Sequence, residues 1–202
     1  MDEAWVRALP KAEVHCHLEG CVPPDLVRRA AARRGADLSA GPTLPVHDLA
    51  GLLEYLDFSC ALVDHPDELA TIAYATMERA RAAGAGHVDV ICNPTHWPAW
   101  RGRLGPMVDA LDAGFREAEE EGLGTAGLCL SIKRTQGAAE AMELVEWILA
   151  SGRRRVVALS IDGNEAGGAA SHTDRFEPAF RRAAAAGLHR CAHAGESSGP
   201  QG

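Results

Sequence analysis

Apolar positions recur along this chain with two different periods, and the switches between them divide it into short elements. Pro23 and Pro24 open DLVRRAAARR, a short helix that stops at Gly35, and a loop rich in Gly, Pro and Ser runs on to Pro45. From Asp48 to Val63 the stretch LAGLLEYLDFSCALV predicts an apolar helix, with Leu49, Leu52, Leu53 and Leu56 at helical spacing. The next helix begins near Asp67, carries Leu69, Ile72, Ala73, Met77 and Ala80 on one face, and ends at Gly84. Three more follow. Met107 to Glu121 turns Val108, Leu111, Phe115 and Ala118 to one side, Ala138 to Leu149 turns Ala141, Leu144, Val145 and Ile148 inward, and the last runs from Asp174 to Ala186.

Between these helices lie apolar runs of strand length, at 13 to 17, 87 to 92, 126 to 132, 155 to 161 and 188 to 193. Strands alternating with helices of about a dozen residues imply βα units around a parallel sheet, an α/β fold in one domain over residues 1–202. In such folds chemistry collects at the carboxyl ends of the strands. The polar residues fall there: His15 and His17, Asn93 and His96, Lys133 and Arg134, Asp162 with Gly163 and Asn164, and His193 with Glu196.

Composition narrows the function classes. With 47% hydrophobic residues the chain can bury a core, and 28 acidic against 20 basic side chains give a net charge of −8 with the arginines spread out. That argues against a nucleic-acid or anionic-membrane surface. No run approaches the roughly 18 apolar residues of a bilayer span. MDEAWVRALPKAEV has acids where a signal peptide needs bases, so the expected place is the cytoplasm. The six cysteines are scattered without a C-x-x-C pair and read as reduced, half-buried small side chains.

The segment HCHLEG carries the chemistry. Successive side chains of a strand point to opposite faces, so His15 and His17 point the same way and Cys16 points away. The same parity sets Cys191 and His193 on one face of the fifth strand. Three imidazoles from two strands form a metal site best suited to zinc, one per chain. Glu196 lies beside it, where a carboxylic acid can protonate a ring nitrogen of a substrate. The plain alternatives are an isolated H-x-H with no metal, and a first-turn glutamate answering a helix dipole ahead of SSGP.

Taken together, LPKAEVHCHLEG, HVDVICNP, VVALSIDGNE and CAHAGES resemble the adenosine deaminase family of metal-dependent aminohydrolases, in order from about Leu9 to the last residue. The resemblance implies a (β/α) barrel of the TIM type, of which the first five βα units are present, and hydrolytic removal of the amino group of a 6-aminopurine: adenosine to inosine and ammonia. It implies that His15, His17 and His193 hold zinc and that Glu196 gives the proton. His17 and Glu19 would lie near the ribose end of the purine, and the Gly163 backbone would meet the purine edge. The four leucines of 49–56 would match a helix gating the pocket, with ordinary core packing as their alternative.

Two departures qualify the match. The family commonly carries aspartate where this chain has Glu19, and H-L-E-G is closer to adenine deaminases and some bacterial relatives. Family members also continue through three more strands, which bring a catalytic histidine and an adjacent pair of aspartates. His172 and His189 lie in the wrong segments to replace that histidine, and no Asp-Asp pair occurs in the sequence. The expectation is therefore a purine aminohydrolase, seen here either as a fragment of a longer chain or as a shortened relative that needs a partner or has lost activity, with adenine deamination as the first alternative. A non-catalytic purine-binding relative is the second. The expected ligand is a small purine nucleoside or base, and a homo-oligomer is left open. A phosphotriesterase-like reading is weaker, because Asp162 is the one acid near a bridging position. A cytidine-deaminase zinc site is excluded by cysteine spacing.

Overall fold

The computed structural model describes residues 2–38, 48–165 and 173–196, so most of the loop up to Pro45, His172 and SSGP lie outside the described residues. The chain divides into two compact units, Met1–Ile91 with His96–Gly127, and Cys92–Thr95 with Leu128–Gly202.

The first unit holds α1 (Glu3–Ala8), β1 (Lys11–His17), α2 (Pro24–Arg34), α3 (Leu49–Ala61), α4 (Pro66–Ala82), β2 (Ala85–Cys92, its last residue in the second unit) and α5 (Leu104–Glu120). Among these, α1 is the one helix the periodicity does not predict. It is six residues long, buries none of them, and rests on an Asp2 cap whose carboxylate accepts the Ala4 N–H at 3.0 Å. β1 pairs in parallel with β2, ending with Cys16 opposite Val90 and His17 opposite Ile91. The pairing slips twice: Gly86 is passed over on β2, and β1 carries one extra residue between Glu13 and Cys16.

The predicted inner faces of α4 and α5 form the core of this unit. Leu69, Ile72, Ala73 and Met77 are fully buried, as are Leu111, Phe115 and Ala118, with Val108 nearly so. Each large side chain among them contributes about 1.5–3 kcal/mol. The two helices approach closely because α5 carries Gly114, where a Cβ would lie 2.1 Å from the Ala70 carbonyl oxygen of α4. α4 starts at a capping box: His65 Nδ1 accepts the Asp67 N–H and Glu68 Oε2 accepts the His65 N–H.

The second unit is built on β3 (Thr125–Lys133), α6 (Ala138–Ser151), β4 (Val156–Asp162), α7 (Glu177–Ala185) and β5 (His189–Arg190). β3 pairs in parallel with β4, and β4 with β5. Within each unit, strands that follow one another in the chain are neighbours, as repeated βα units require. The helix expected from Asp174 begins instead as a single 3₁₀ turn, Asp174–Phe176, and becomes α-helical at Glu177, where Pro178 fits a first turn whose N–H groups need no helical partner. β5 is regular only over two residues, yet Cys191 N and His193 N still donate to Leu159 and Ile161 carbonyls at 2.9 and 3.0 Å. The extended run therefore reaches His193 as expected. Among the described residues no helix is long and apolar enough to cross a membrane.

Candidate metal centre

At the carboxyl end of β1, His15 is exposed and His17 half-buried. Their Nε2 atoms lie 3.3 Å apart, with ring centroids at 5.2 Å and planes tilted by 59°. A tetrahedral zinc with Zn–N bonds of about 2.0–2.1 Å sets neighbouring ligand atoms about 3.3–3.4 Å apart. The pair thus has the spacing of one edge of such a centre.

Glu19 is held just below. Its carboxylate is 2% exposed, its Oε1 accepts the Trp97 indole N–H at 3.0 Å, and its Oε2 lies 3.7 Å from His17 Nδ1. At that length the contact with His17 is electrostatic and not a hydrogen bond. It favours the tautomer with a proton on Nδ1 and the lone pair on Nε2, the nitrogen turned toward His15.

Trp97 belongs to the segment after β2, which also fastens α3. Buried His96 pairs through Nδ1 with Asp57 of α3, and the Trp100 indole donates to the Val63 carbonyl at 3.0 Å. α3 itself is weakly packed: Ser59 and Cys60 are its buried residues, and Leu52 is 39% exposed while Leu49, Leu53 and Leu56 are half-buried. The four leucines are therefore not the core residues that helical spacing alone would allow.

The second unit places His193 and Glu196 on a separate scaffold. His193 Nδ1 donates to the Ile161 carbonyl at 2.9 Å, which leaves the lone pair on Nε2. Its own carbonyl accepts from Arg134 Nη2. The same guanidinium pairs with Glu165 at 3.0 Å, and Glu165 accepts the Gly195 N–H at 3.0 Å. Arg134 and Glu165 are both buried, so an ion pair clamps the H-A-G-E turn from two sides. Glu196 follows, exposed, beyond Gly195 at φ 74°. Asp162, at the end of β4, is buried and accepts from Asn93 Nδ2 at 2.5 Å, while Asn93 Oδ1 takes the Thr95 N–H and hydroxyl. Gly163 stands at φ 95°, where a Cβ would also meet Lys133 Cγ at 3.3 Å, so no side chain is admitted there.

Of the residues marked out by sequence, His15, His17 and Glu19 come together in one unit, and His193, Arg134 and Asp162 lie at strand ends in the other. Trp97, Glu165 and Asp57 were not foreseen. Trp97 had a faint signal in the W-P step that breaks the chain after β2, whereas Glu165 and Asp57 had none.

The sequence pattern of one protein family, described as adenosine deaminase, matches residues 10–202. An adenine deaminase of Rhodospirillum rubrum is 29% identical over 99% of this chain and 60% of its own length. Two solved structures share the fold: an adenine deaminase from Arthrobacter aurescens, 27% identical with TM-score 0.80 over 93% of this chain and 58% of the other, and an amidohydrolase from Burkhoderia ambifaria with bound Zn, 32% identical with TM-score 0.78 over 96% and 54%. The chain spans about three-fifths of the length of the relatives it matches.

Proposed function

Because this chain belongs to the adenosine deaminase family, we propose that the whole protein removes the amino group of a 6-aminopurine by hydrolysis, with adenine as the substrate and one zinc ion per chain. The observation that carries the reading is the His15–His17 pair, whose Nε2 atoms stand at the ligand spacing of zinc. His193 is the third ligand in this reading, its Nδ1 proton already committed to Ile161. A metal held there would supply a bound water acidic enough to give hydroxide near neutral pH.

The protein's own groups do the rest. Glu196, as a carboxylic acid, gives its proton to a purine ring nitrogen. The Gly163 backbone lies along the purine edge, its positive φ keeping that wall free of a side chain. His17 and Glu19 stand at the end where a nucleoside would carry its sugar. There the Glu19 carboxylate is buried and bonded to the Trp97 indole, which favours a bare base over a substrate that brings hydroxyl groups. The names of the two adenine deaminases among the relatives support adenine, the first alternative to the adenosine that the family resemblance implies. A cytoplasmic place is part of the same proposal.

The test is an ammonia-release assay on the zinc-loaded protein with adenine, adenosine and 6-methylaminopurine, beside elemental analysis of the purified protein. Zinc near one equivalent with adenine the best substrate supports the reading. Adenosine turned over faster than adenine overturns the substrate, and absence of bound metal overturns the centre.

A further inference from the structure

The strand parity that turns His15 and His17 one way turns Cys16 the other, away from the metal ligands. The chain then doubles back through the 3₁₀ turn Leu18–Cys21 and returns a second thiol to it, with the Cys16 and Cys21 Sγ atoms 3.5 Å apart. A disulfide needs an S–S distance of about 2.05 Å, so the atoms must close by about 1.5 Å, within reach of side-chain rotation and a small shift of the turn. Both cysteines are free thiols.

They also share an opening. A cavity of about 220 Å³ is lined by Glu13, Cys16, Cys21, Thr76 and Arg79, so both cysteines border an opening. The Cys16 hydrogen bond, seconded by Thr76 and by the Arg79 guanidinium, holds the Cys21 thiol below the ordinary thiol range in spite of its burial. Arg79 also donates to the Cys21 carbonyl, fixing the cation over the turn. A pair of touching thiols, a cation and an opening are the ingredients of thiol–disulfide exchange.

We propose that Cys16 and Cys21 are a redox-active dithiol that closes to a disulfide by exchange with a small disulfide of the glutathione class, and that closure disturbs the end of β1 carrying His15 and His17. In the first step the Cys21 thiolate attacks one sulfur of the small disulfide; a Cys21–S bond forms, the reagent's S–S bond breaks and one thiolate leaves. The Cys16 sulfur then attacks Cys21 Sγ, the Cys16–Cys21 bond forms, the mixed disulfide breaks, and the Cys16 proton passes to the departing sulfur. Two electrons pass from the two cysteines to the reagent, which ends as two thiols. The coupling to the histidines rests on the metal reading above, and the dithiol chemistry does not.

The experiment equilibrates the purified protein across defined ratios of reduced to oxidised glutathione, alkylates the remaining thiols, and identifies cross-linked peptides by mass spectrometry. The expected product joins Cys16 to Cys21, lighter by two hydrogens than the reduced peptides and reversed by dithiothreitol. If both cysteines stay alkylatable at every ratio, or Cys60 is cross-linked in preference, the proposal is overturned. Zinc affinity is measured on the same samples by competition with a chromophoric chelator. Oxidation should weaken it by about tenfold or more, and Cys21→Ser should abolish this sensitivity. A disulfide that forms without change in zinc affinity overturns the coupling. A reduced protein that binds no zinc overturns the metal reading and the coupling with it, while the cross-link still decides the dithiol.

Discussion

Replacing Trp97 with phenylalanine isolates one hydrogen bond whose loss should be felt both in stability and at the metal ligands. Trp97 is fully buried and its indole N–H lies 3.0 Å from a carboxylate oxygen of Glu19, itself 2% exposed. Phenylalanine keeps most of the apolar contact and removes the donor. A hydrogen bond to a buried charged group is worth about 1.5–3 kcal/mol, and the void left by the smaller ring adds about 1 kcal/mol. The expected loss is about 2.5–4 kcal/mol. For a chain of this length that lowers the melting temperature by between about 5 and 15 °C. Urea denaturation followed by far-ultraviolet circular dichroism measures it directly. The same change should cost about tenfold in zinc affinity, since Glu19 Oε2, 3.7 Å from His17 Nδ1, loses its anchor. The decisive control is Glu19→Gln: in that background the tryptophan substitution should cost at least about 1 kcal/mol less. An equal cost in both backgrounds would refute the reasoning, because the indole would then be stabilising the fold through packing alone.

The other expectations concern different parts of the molecule. Arg134→Met strands the Glu165 carboxylate in the interior and should cost about 3 kcal/mol or more by denaturant titration, since removing one member of a buried pair leaves an uncompensated charge; a cost under about 1 kcal/mol would show that Gly195 N–H alone satisfies Glu165. Gly114→Ala drives a methyl group into the Ala70 carbonyl of α4 and should cost about 1–3 kcal/mol or prevent expression, whereas an unchanged melting temperature would mean that α4 and α5 part freely. At Glu68, burial alone would lift the carboxyl, but the Arg33 hydrogen bond and the backbone N–H groups of Asp64 and His65 outweigh it and hold the group below the usual carboxylate range. A folded-state value below the unfolded one means that this contribution is complete above the ordinary glutamate value, about 4.3, and is lost as pH falls through the folded one. Glu68→Gln should therefore flatten the acid limb of a stability-against-pH curve, and an identical limb in both proteins would contradict the assignment.

What could be read from sequence follows the range over which each signal acts. The inner faces of α4 and α5 were plain because periodicity is local, and the shared direction of His15 and His17 because it needs only two intervening bonds of strand geometry. Trp97 and Glu19 are 78 residues apart and Arg134 and Glu165 are 31 apart, so nothing in either neighbourhood names the other. α3 shows a subtler gap. Its leucines announce an apolar face, but a period says nothing about what covers that face, and in the structure all four stay partly open. The break in the helix at Asp174–Phe176 was marked by Pro178, a residue whose meaning at a first turn is visible once the helix start is known.

The two slips in the pairing of β1 with β2 cancel: Lys11 faces Ala85 and, six residues on in each strand, His17 faces Ile91. The stretch between them runs one step out of phase, like a message between a frameshift and its suppressor. Deleting one residue near Val14–His15 would leave everything downstream of it displaced, and deleting Gly86 alone would do the same from the other side. Removing both should restore the ladder on either flank, so the double lesion should be milder than either single one.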